Sequence, residues 1–354
     1  MEWDYFIVGQ GLAGSILSYN LIRNDLKVLV FDDPALPKSS TVAAGIYNPF
    51  TGRKMVMTWM AEQLFPYLLK FYKDMEAELG IRLLYNIPMY RPFLSLEEHN
   101  EWSIRLYEDS YSQFIERILS PQEALIQVVN PMGGMMLKMS GYVDIGALIR
   151  GVTDFLEQRK AFCSERFSYH KLQILKDHVQ YNGHSARKII FCEGPSMSGN
   201  NFFSWLPLNL VKGEILELEL QEPLTYIVNR GVFVLPITKS YCRVGSTFDN
   251  QDLSWEVTGR AKTQLLHKLD KLIRIPYRVI GHSAGVRPAS LDRRPFIGLH
   301  PEHEPLGVFN GLGTKGVSLS PYFAQEFFEF LEQGKPLIKH VAISRYFSLY
   351  YNKF

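Results

Sequence analysis

Two rhythms of apolar and polar residues run along this chain, and each predicts a different part of the fold. An unbroken apolar run, Tyr5-Phe-Ile-Val8, leads into Gly9-Gln-Gly11-Leu-Ala-Gly14. Helical spacing follows (Ile16, Leu17, Tyr19, Leu21, Ile22), then a second apolar run, Lys27-Val-Leu-Val-Phe31, which ends at Asp32. Met57, Met60, Leu64, Leu68, Phe71, Met75 and Leu79 recur at three- and four-residue steps before Gly80, predicting an amphipathic helix. Residues 82–98 read as strands broken by Pro88 and Pro92, and 97–118 return to helical spacing. Asn130-Pro-Met-Gly-Gly134 reads as a turn or mobile loop. A helix is predicted from Ile145 to Gln158, and a buried strand over Lys188–Phe191 stopping at Cys192-Glu-Gly194. From 206 to 282 the pattern changes to period two, as in Glu214-Ile-Leu-Glu-Leu-Glu-Leu220, which predicts an antiparallel sheet interrupted by one helix near 257–273. Two short strands (Phe296–Gly298 and Leu306–Asn310) precede a last helix from about Ser318, with Phe323, Phe327, Phe328 and Leu331 on one side.

Together these elements predict an α/β fold (α+β overall). A Rossmann-type nucleotide domain is assembled from residues 1–81, 141–205 and 283–354. An antiparallel β-sheet substrate domain, 82–140 and 206–282, is inserted between those pieces. The first strand-turn-helix-strand unit gives the nucleotide reading its chemistry. Gly9 permits the tight turn, Gly11 lets a pyrophosphate approach the backbone, and Gly14 lets helix and strand close together. The helix N-terminus offers unpaired N–H groups to phosphate. Asp32, eighteen residues after Gly14, is placed to accept from ribose hydroxyls. This unit alone does not choose between FAD and NAD.

Composition narrows the picture only modestly. The 354 residues are 46% apolar and 21% charged, ordinary values for a globular protein. A formal charge of +2 with no Lys/Arg block makes a nucleic-acid partner unexpected. Cys163, Cys192 and Cys242 are scattered and odd in number, which argues against a disulfide framework or a metal site and favours a reducing, cytoplasmic setting. The strand that starts just after Met1 leaves no room for a signal peptide, and no apolar run reaches membrane-spanning length. Aromatic residues, at 13%, suggest a bulky core, an aromatic-walled pocket, or both. Met132, Met135, Met136 and Met139 read as an exposed group, either a pocket lid or a partner surface.

Four further segments, in order along nearly the whole chain, make it resemble the D-amino-acid oxidase/glycine oxidase family of FAD-dependent oxidoreductases. They are Ser40-Thr-Val-Ala-Ala-Gly-Ile-Tyr-Asn-Pro49, Lys212-Gly-Glu-Ile215, Val244-Gly-Ser-Thr247, and Gly285-Val-Arg-Pro288 with Asp292, Pro295, Ile297-Gly298 and Gly311-Leu-Gly-Thr-Lys-Gly316. The resemblance implies FAD, held noncovalently because no cysteine follows Cys242. The cofactor contacts it implies are Gly9, Gly11, Leu12, Ala13, Gly14, Asp32, Asp33, Thr41, Ala43, Ala44, Gly45, Phe167, Cys192, Glu193, Gly194, Arg287, Gly311, Gly313, Thr314, Lys315, Gly316 and Val317. Backbone at Ala43-Ala44-Gly45 would lie against the flavin ring. The N-terminus of the last helix, with Lys315, would face its pyrimidine edge, where reduction places negative charge.

Arg287 is the expected substrate residue, its planar fork suited to a carboxylate. The alternative is a brace at the domain interface, paired with Asp292 or another acid. Phe233 stands where the family often carries tyrosine, and can wall a pocket without hydrogen-bonding a carboxylate. That departure weakens the case for a simple free amino acid. His282 is the possible base for a hydroxy-acid substrate, or else a structural histidine. The expected activity is oxidation of the C–N bond of an amino acid or N-substituted glycine by hydride transfer to flavin, with oxygen or a quinone as acceptor. Rival expectations are a 2-hydroxy-acid or glycerol-phosphate dehydrogenase, an oxidase that removes a carboxymethyl group from tRNA wobble uridine, and a flavin-carrying partner module without small-molecule turnover.

Overall fold

Strand Trp3–Val8 lies at the centre of a mainly parallel sheet, between Val28–Asp32 and His184–Phe191. Phe162–Ser164 extends that sheet beyond Val28–Asp32, and Leu306–Asn310 pairs in parallel with the far half of His184–Phe191. The computed structural model describes every residue except Met1, Arg53, Ala124, Lys353 and Phe354. The near-continuous apolar character of these strands follows from burial on both faces, as parallel sheets require. Helix Leu12–Arg23 covers one face, buried at every position from Leu12 to Leu21.

A second eight-stranded sheet curls beside the first. Its order is Tyr277–Ser290, Leu208–Leu220, Tyr241–Gly245, Val232–Pro236, Ile227–Arg230, Met89–Pro92, Gly134–Leu137 and Ile115–Leu119. Every pairing is antiparallel except that of Ile227–Arg230 with Met89–Pro92. Strand Tyr277–Ser290 runs unbroken past 282–283, and all thirteen residues of Leu208–Leu220 pair with it. In this pair Gly213 faces Gly285 and Val211 faces Arg287, while Lys212, Glu214 and Leu216 share the other face with Val286, Ala284 and His282.

Helix boundaries follow local chemistry. Asp144 Oδ1 accepts from Ala147 N at 2.8 Å and starts the helix Ile145–Gln158, as the sequence predicts. Thr258 caps Gly259–Asp270 in the same way. The long helix begins at Ala61, later than the methionine spacing predicts, because Val56–Met57 pairs with Phe50–Thr51 and Met60 takes a left-handed φ of 55°.

Two sequence expectations need correction. The helical spacing over 97–118 ends early: the helix stops at Arg105, a short turn spans Asp109–Ser112, and Ile115–Leu119 is a strand on Gly134–Leu137. The methionines are not an exposed group. Met135 and Met136 lie in strand Gly134–Leu137, at 0% and 6% exposure, and Met132 and Met139 are partly covered at its ends. Membership of a strand flanked on both sides, unreadable in so short a segment, buries them.

Candidate active site

The turn after the first strand is built for close approach. Gly9 has φ 92°, and a Cβ there would sit 2.8 Å from the Cys192 carbonyl oxygen. A Cβ on Gly14 would lie 1.9 Å from the Gly9 oxygen, so the helix could not start where it does. Asp32 closes the strand end: its Oδ1 accepts from Gln10 N at 2.8 Å and its Oδ2 pairs with Lys38 at 2.9 Å.

This turn opens into a cavity of about 1340 Å³ that reaches from the parallel sheet to the antiparallel one. Ligand pockets usually enclose about 300–1,000 Å³, so a dinucleotide and a further small molecule have room. Gly9, Gly11, Leu12, Ala13, Asp32 and Asp33 line one end. Phe167, Cys192, Glu193 and Gly194 line the wall beside them, and Ala43, Ala44 and Gly45 lie on the loop between the sheets. Gly313, Thr314, Lys315, Gly316 and Val317 arrive from the start of the last long helix, Gly316–Gln333. Phe233 and Arg287 complete the far end.

Four expected residues lie outside that lining. Gly14 is beneath it, at the helix–strand contact. Thr41 faces solvent and donates to the Lys38 carbonyl oxygen at 2.8 Å. Gly311 sits against the Phe296 ring. His282 is on the opposite face of the antiparallel sheet from Arg287, with Nε2 2.8 Å from Glu214 Oε2. Burial lowers the His282 pKa, and the Glu214 charge opposes that shift.

Arg287 is held without an acid. Its Nη2 donates to Ser246 Oγ at 2.6 Å, its Nη1 to the Thr247 carbonyl oxygen at 3.3 Å, and the Phe248 ring lies 4.8 Å from Cζ. Asp292 is engaged elsewhere, with Arg345 at 2.8 Å, so the brace reading finds no partner there. The guanidinium reaches past Val211 and lies over Gly213, where a Cβ would fall 1.9 Å from Nη2. Burial lowers its pKa to about 10, which leaves it charged at neutral pH.

The sheet's other face secures the strap that holds Arg287. Glu214 accepts from Thr258 N and Oγ1 at 2.8 and 2.9 Å, and its own N–H donates to Thr247 Oγ1 at 2.9 Å. Lys212 Nζ reaches Asp252 at 2.5 Å and Ser254 Oγ at 3.1 Å, and its backbone pairs with Asp249. One tripeptide, Lys212-Gly213-Glu214, therefore makes room for the guanidinium on one face and ties down its supports on the other.

Three further side chains shape the cavity, of which the sequence singled out Lys315 but not Asn310 or Arg91. Asn310 Nδ2 donates to the Gly194 oxygen at 3.0 Å and joins two lining loops. Arg91 donates to the carbonyl oxygens of Phe50 and Gly52 at 2.9 and 3.0 Å. Lys315 Nζ donates to Asn48 O and Oδ1, both at 3.2 Å, and burial, then the Arg91 charge, lowers its pKa to about 7. The loop 39–52 meets both halves of the molecule. Leu12 N donates to Ser40 Oγ at 3.0 Å, Ser39 Oγ donates to the Val286 oxygen, and Arg243 donates to the Val42 and Ala43 oxygens at 3.1 and 3.3 Å.

These features fit a flavin dinucleotide. Two long helices, Leu12–Arg23 and Gly316–Gln333, aim N-termini at one cavity, and neither N-cap residue supplies a side-chain acceptor. Apart from Leu12 N, which donates to Ser40 Oγ, first-turn N–H groups and a positive dipole end suit a pyrophosphate and an electron-rich ring edge. Among the described residues no group of acids, histidines or cysteines is arranged for a metal, and no helix is long and apolar enough to cross a membrane.

Comparison with known proteins agrees with this geometry. The sequence model of a family described as "FAD dependent oxidoreductase" (DAO) matches residues 4–329. The tRNA 5-methylaminomethyl-2-thiouridine biosynthesis bifunctional protein of Legionella pneumophila is 22% identical over 321 residues, covering 84% of this chain. The chain spans only 46% of that relative's length. Among solved structures, iminodiacetate oxidase from Chelativorans superposes with a TM-score of 0.79 at 19% identity, over 97% of this chain and 98% of that one. Glycine oxidase from Geobacillus kaustophilus gives 0.76, also at 19% identity, over 97% of both.

Proposed function

Because the chain belongs to the DAO family of FAD-dependent oxidoreductases, we propose that it oxidises the C–N bond of an amino acid or an N-substituted glycine. The observation that carries this reading is Arg287: a charged, half-buried fork that lines the cavity, with only neutral partners. A substrate carboxylate matches that fork in two parallel hydrogen bonds. Bound FAD, held noncovalently, supplies the hydride acceptor.

The chain's own residues then have limited tasks. Arg287 fixes the carboxylate, and Phe233 and Ile215 wall the space beside it. Holding the α C–H bond in one orientation accounts for most of the rate gain. The amine enters neutral, loses hydride from the α carbon and releases a proton from nitrogen to water, and the resulting imine is hydrolysed by water. No protein base is required. This favours amine over hydroxy-acid oxidation, since His282 lies across the sheet from the cavity.

A second reading, oxidative removal of a carboxymethyl group from tRNA wobble uridine, is supported by the Legionella relative, whose name refers to tRNA 5-methylaminomethyl-2-thiouridine biosynthesis. Small amines are favoured because Arg287 is recessed in a cavity. The test is anaerobic bleaching of the yellow holoprotein by glycine, sarcosine, proline, D-amino acids, 2-hydroxy acids and modified tRNA. Bleaching by an amine, lost in Arg287→Ala, supports the proposal. Bleaching by hydroxy acids or tRNA alone would overturn it. Reoxidation by oxygen or by a quinone, followed in the same cuvette, identifies the acceptor.

A further inference from the structure

The sheet end of the cavity holds more positive charge than one substrate carboxylate balances. Arg91, Arg230, Lys268, Arg287 and Lys315 all line the cavity. Its lining carboxylates among the described residues are Asp32, Asp33 and Glu193, all at the ends of parallel-sheet strands. Asp32 is already paired with Lys38, and Glu193 accepts from Tyr169 and Asn200. On the sheet side, Glu98 stands behind Arg230, with its oxygens 2.8 and 2.9 Å from Nη2.

Arg91 is the most telling of these cations. It is 3% exposed, its Nη atoms meet only main-chain oxygens, and its Nε has no acceptor. Arg230 lies beside it on the neighbouring strand, with Nη1 also lacking an acceptor. Lys315 rests on neutral Asn48. Taking Arg91 and Lys315 out of water without an anion is costly, and the oxygens they meet offset this only in part. Burial is the main cause that lowers both the Lys315 and the Arg91 pKa; the Arg91 charge adds to the first shift and the Arg230 charge to the second, where Glu98 opposes it. Such an arrangement is stable in function when a ligand brings the missing charge.

We propose that Arg91 and Lys315, flanked by Arg230, form a second oxyanion subsite, so that the substrate is an amine carrying two acid groups. Arg287 holds one acid and this subsite holds the other; the inference rests on the C–N oxidation reading above. Guanidinium forks match carboxylate and phosphate alike, so the second acid belongs to either class. RNA phosphates fit less well, because Arg91 is too recessed to meet a backbone running along a surface. The strand of Arg287 is first in the sheet order and that of Arg91 sixth. At about 4.8 Å per strand spacing, even a curled sheet keeps the two subsites apart. A longer spacer between the acids should therefore bind better than a short one.

The test titrates the FAD-loaded protein with unreactive acids and follows the flavin absorbance. The series is acetate, malonate, succinate, glutarate and adipate, with phosphonoacetate and 3-phosphonopropionate as the phosphorus arm. The expected result is at least tenfold tighter binding of the longer diacids than of acetate. Arg91→Met or Lys315→Met should erase most of that preference, whereas Arg287→Ala should weaken every acid. Tighter phosphonates than dicarboxylates would assign a phosphate to the second position. Three results would overturn the proposal: no diacid preference, a preference that survives both substitutions, or a changed flavin midpoint potential in Arg91→Met with the preference intact. Tighter, steeply salt-dependent binding of an RNA oligonucleotide would also overturn it. Acetate binding unchanged in Arg287→Ala would instead sink the amino-acid reading, so the two failures are distinguishable.

Discussion

Replacing Gly213 with alanine should weaken carboxylate binding while leaving the fold almost untouched. The new Cβ would lie 1.9 Å from Arg287 Nη2 and 2.3 Å from both Nη1 and Cζ. Gly213 sits in a regular stretch of strand opposite Gly285, so alanine suits its backbone. The clash is with the far end of a flexible side chain, which can swing away. The stability cost should therefore fall below the about 1–3 kcal/mol typical of overfilled cores. The displaced guanidinium would leave Ser246 Oγ and the Thr247 oxygen, and with them the position that receives a substrate carboxylate. Losing a charge-assisted hydrogen bond costs about 1.5–3 kcal/mol, or about 10- to 100-fold in acetate affinity. Flavin-perturbation titration measures this, and thermal unfolding checks the fold. In an Arg287→Ala background the same substitution should be nearly silent, because its effect passes through that side chain. Equal acetate affinity in Gly213→Ala and the parent would refute the reasoning. So would full additivity of the two substitutions.

Three further outcomes follow from the geometry. Glu214→Ala would strip the Thr258 donors of their acceptor and remove the buried carboxylate 3.8 Å from Lys212 Nζ, and should destabilise by about 3–5 kcal/mol, read by urea unfolding; Glu214→Gln should recover part of it. Lys315 has a folded pKa near 7, below the free lysine value of 10.5, so the unfolded chain binds more protons between those values. Stability of the flavin-free protein should rise with pH across that window, and diacid affinity of the loaded protein should fall as pH passes about 7; Lys315→Met should flatten both trends. His282→Gln should leave the pH profile of flavin reduction unchanged while lowering thermal stability, because its contact is with Glu214 on the far face; an altered profile would return it to the chemistry.

The nucleotide half was legible because its signals are local. Gly9, Gly11 and Gly14 each occupy a position where a Cβ would meet a neighbour, and strand, turn and helix are contiguous in sequence. The helix Ile145–Gln158 was legible for the same reason, with its cap and its apolar stripe in one short stretch. Gly213 and Arg287 stood in recognisable motifs, although nothing in the sequence says that one makes space for the other. Arg91 and Arg230 carried no signal at all. They are single charges on four-residue strands, and only the long-range pairing of Met89–Pro92 with Ile227–Arg230 brings them together. Ile115–Leu119 was misread because Phe114, Ile115, Ile118 and Leu119 fit a helical stripe, and pairing with Gly134–Leu137 overrides that local preference.

The loop 39–52 restricts how the molecule can move. It is pinned to the first helix through Ser40, to strand Tyr277–Ser290 through Ser39, and to strand Tyr241–Gly245 through Arg243. Further along, it is pinned to the last helix through Asn48 and to strand Met89–Pro92 through Arg91. A clamshell hinge between the two sheets would have to break contacts at all of these places at once. Substrate traffic is therefore left to smaller parts. The backbone on either side of Phe248 is held by Glu214 and Lys212, so the part free of these pins is the Phe248 ring itself, 70% exposed and 4.8 Å from the Arg287 guanidinium.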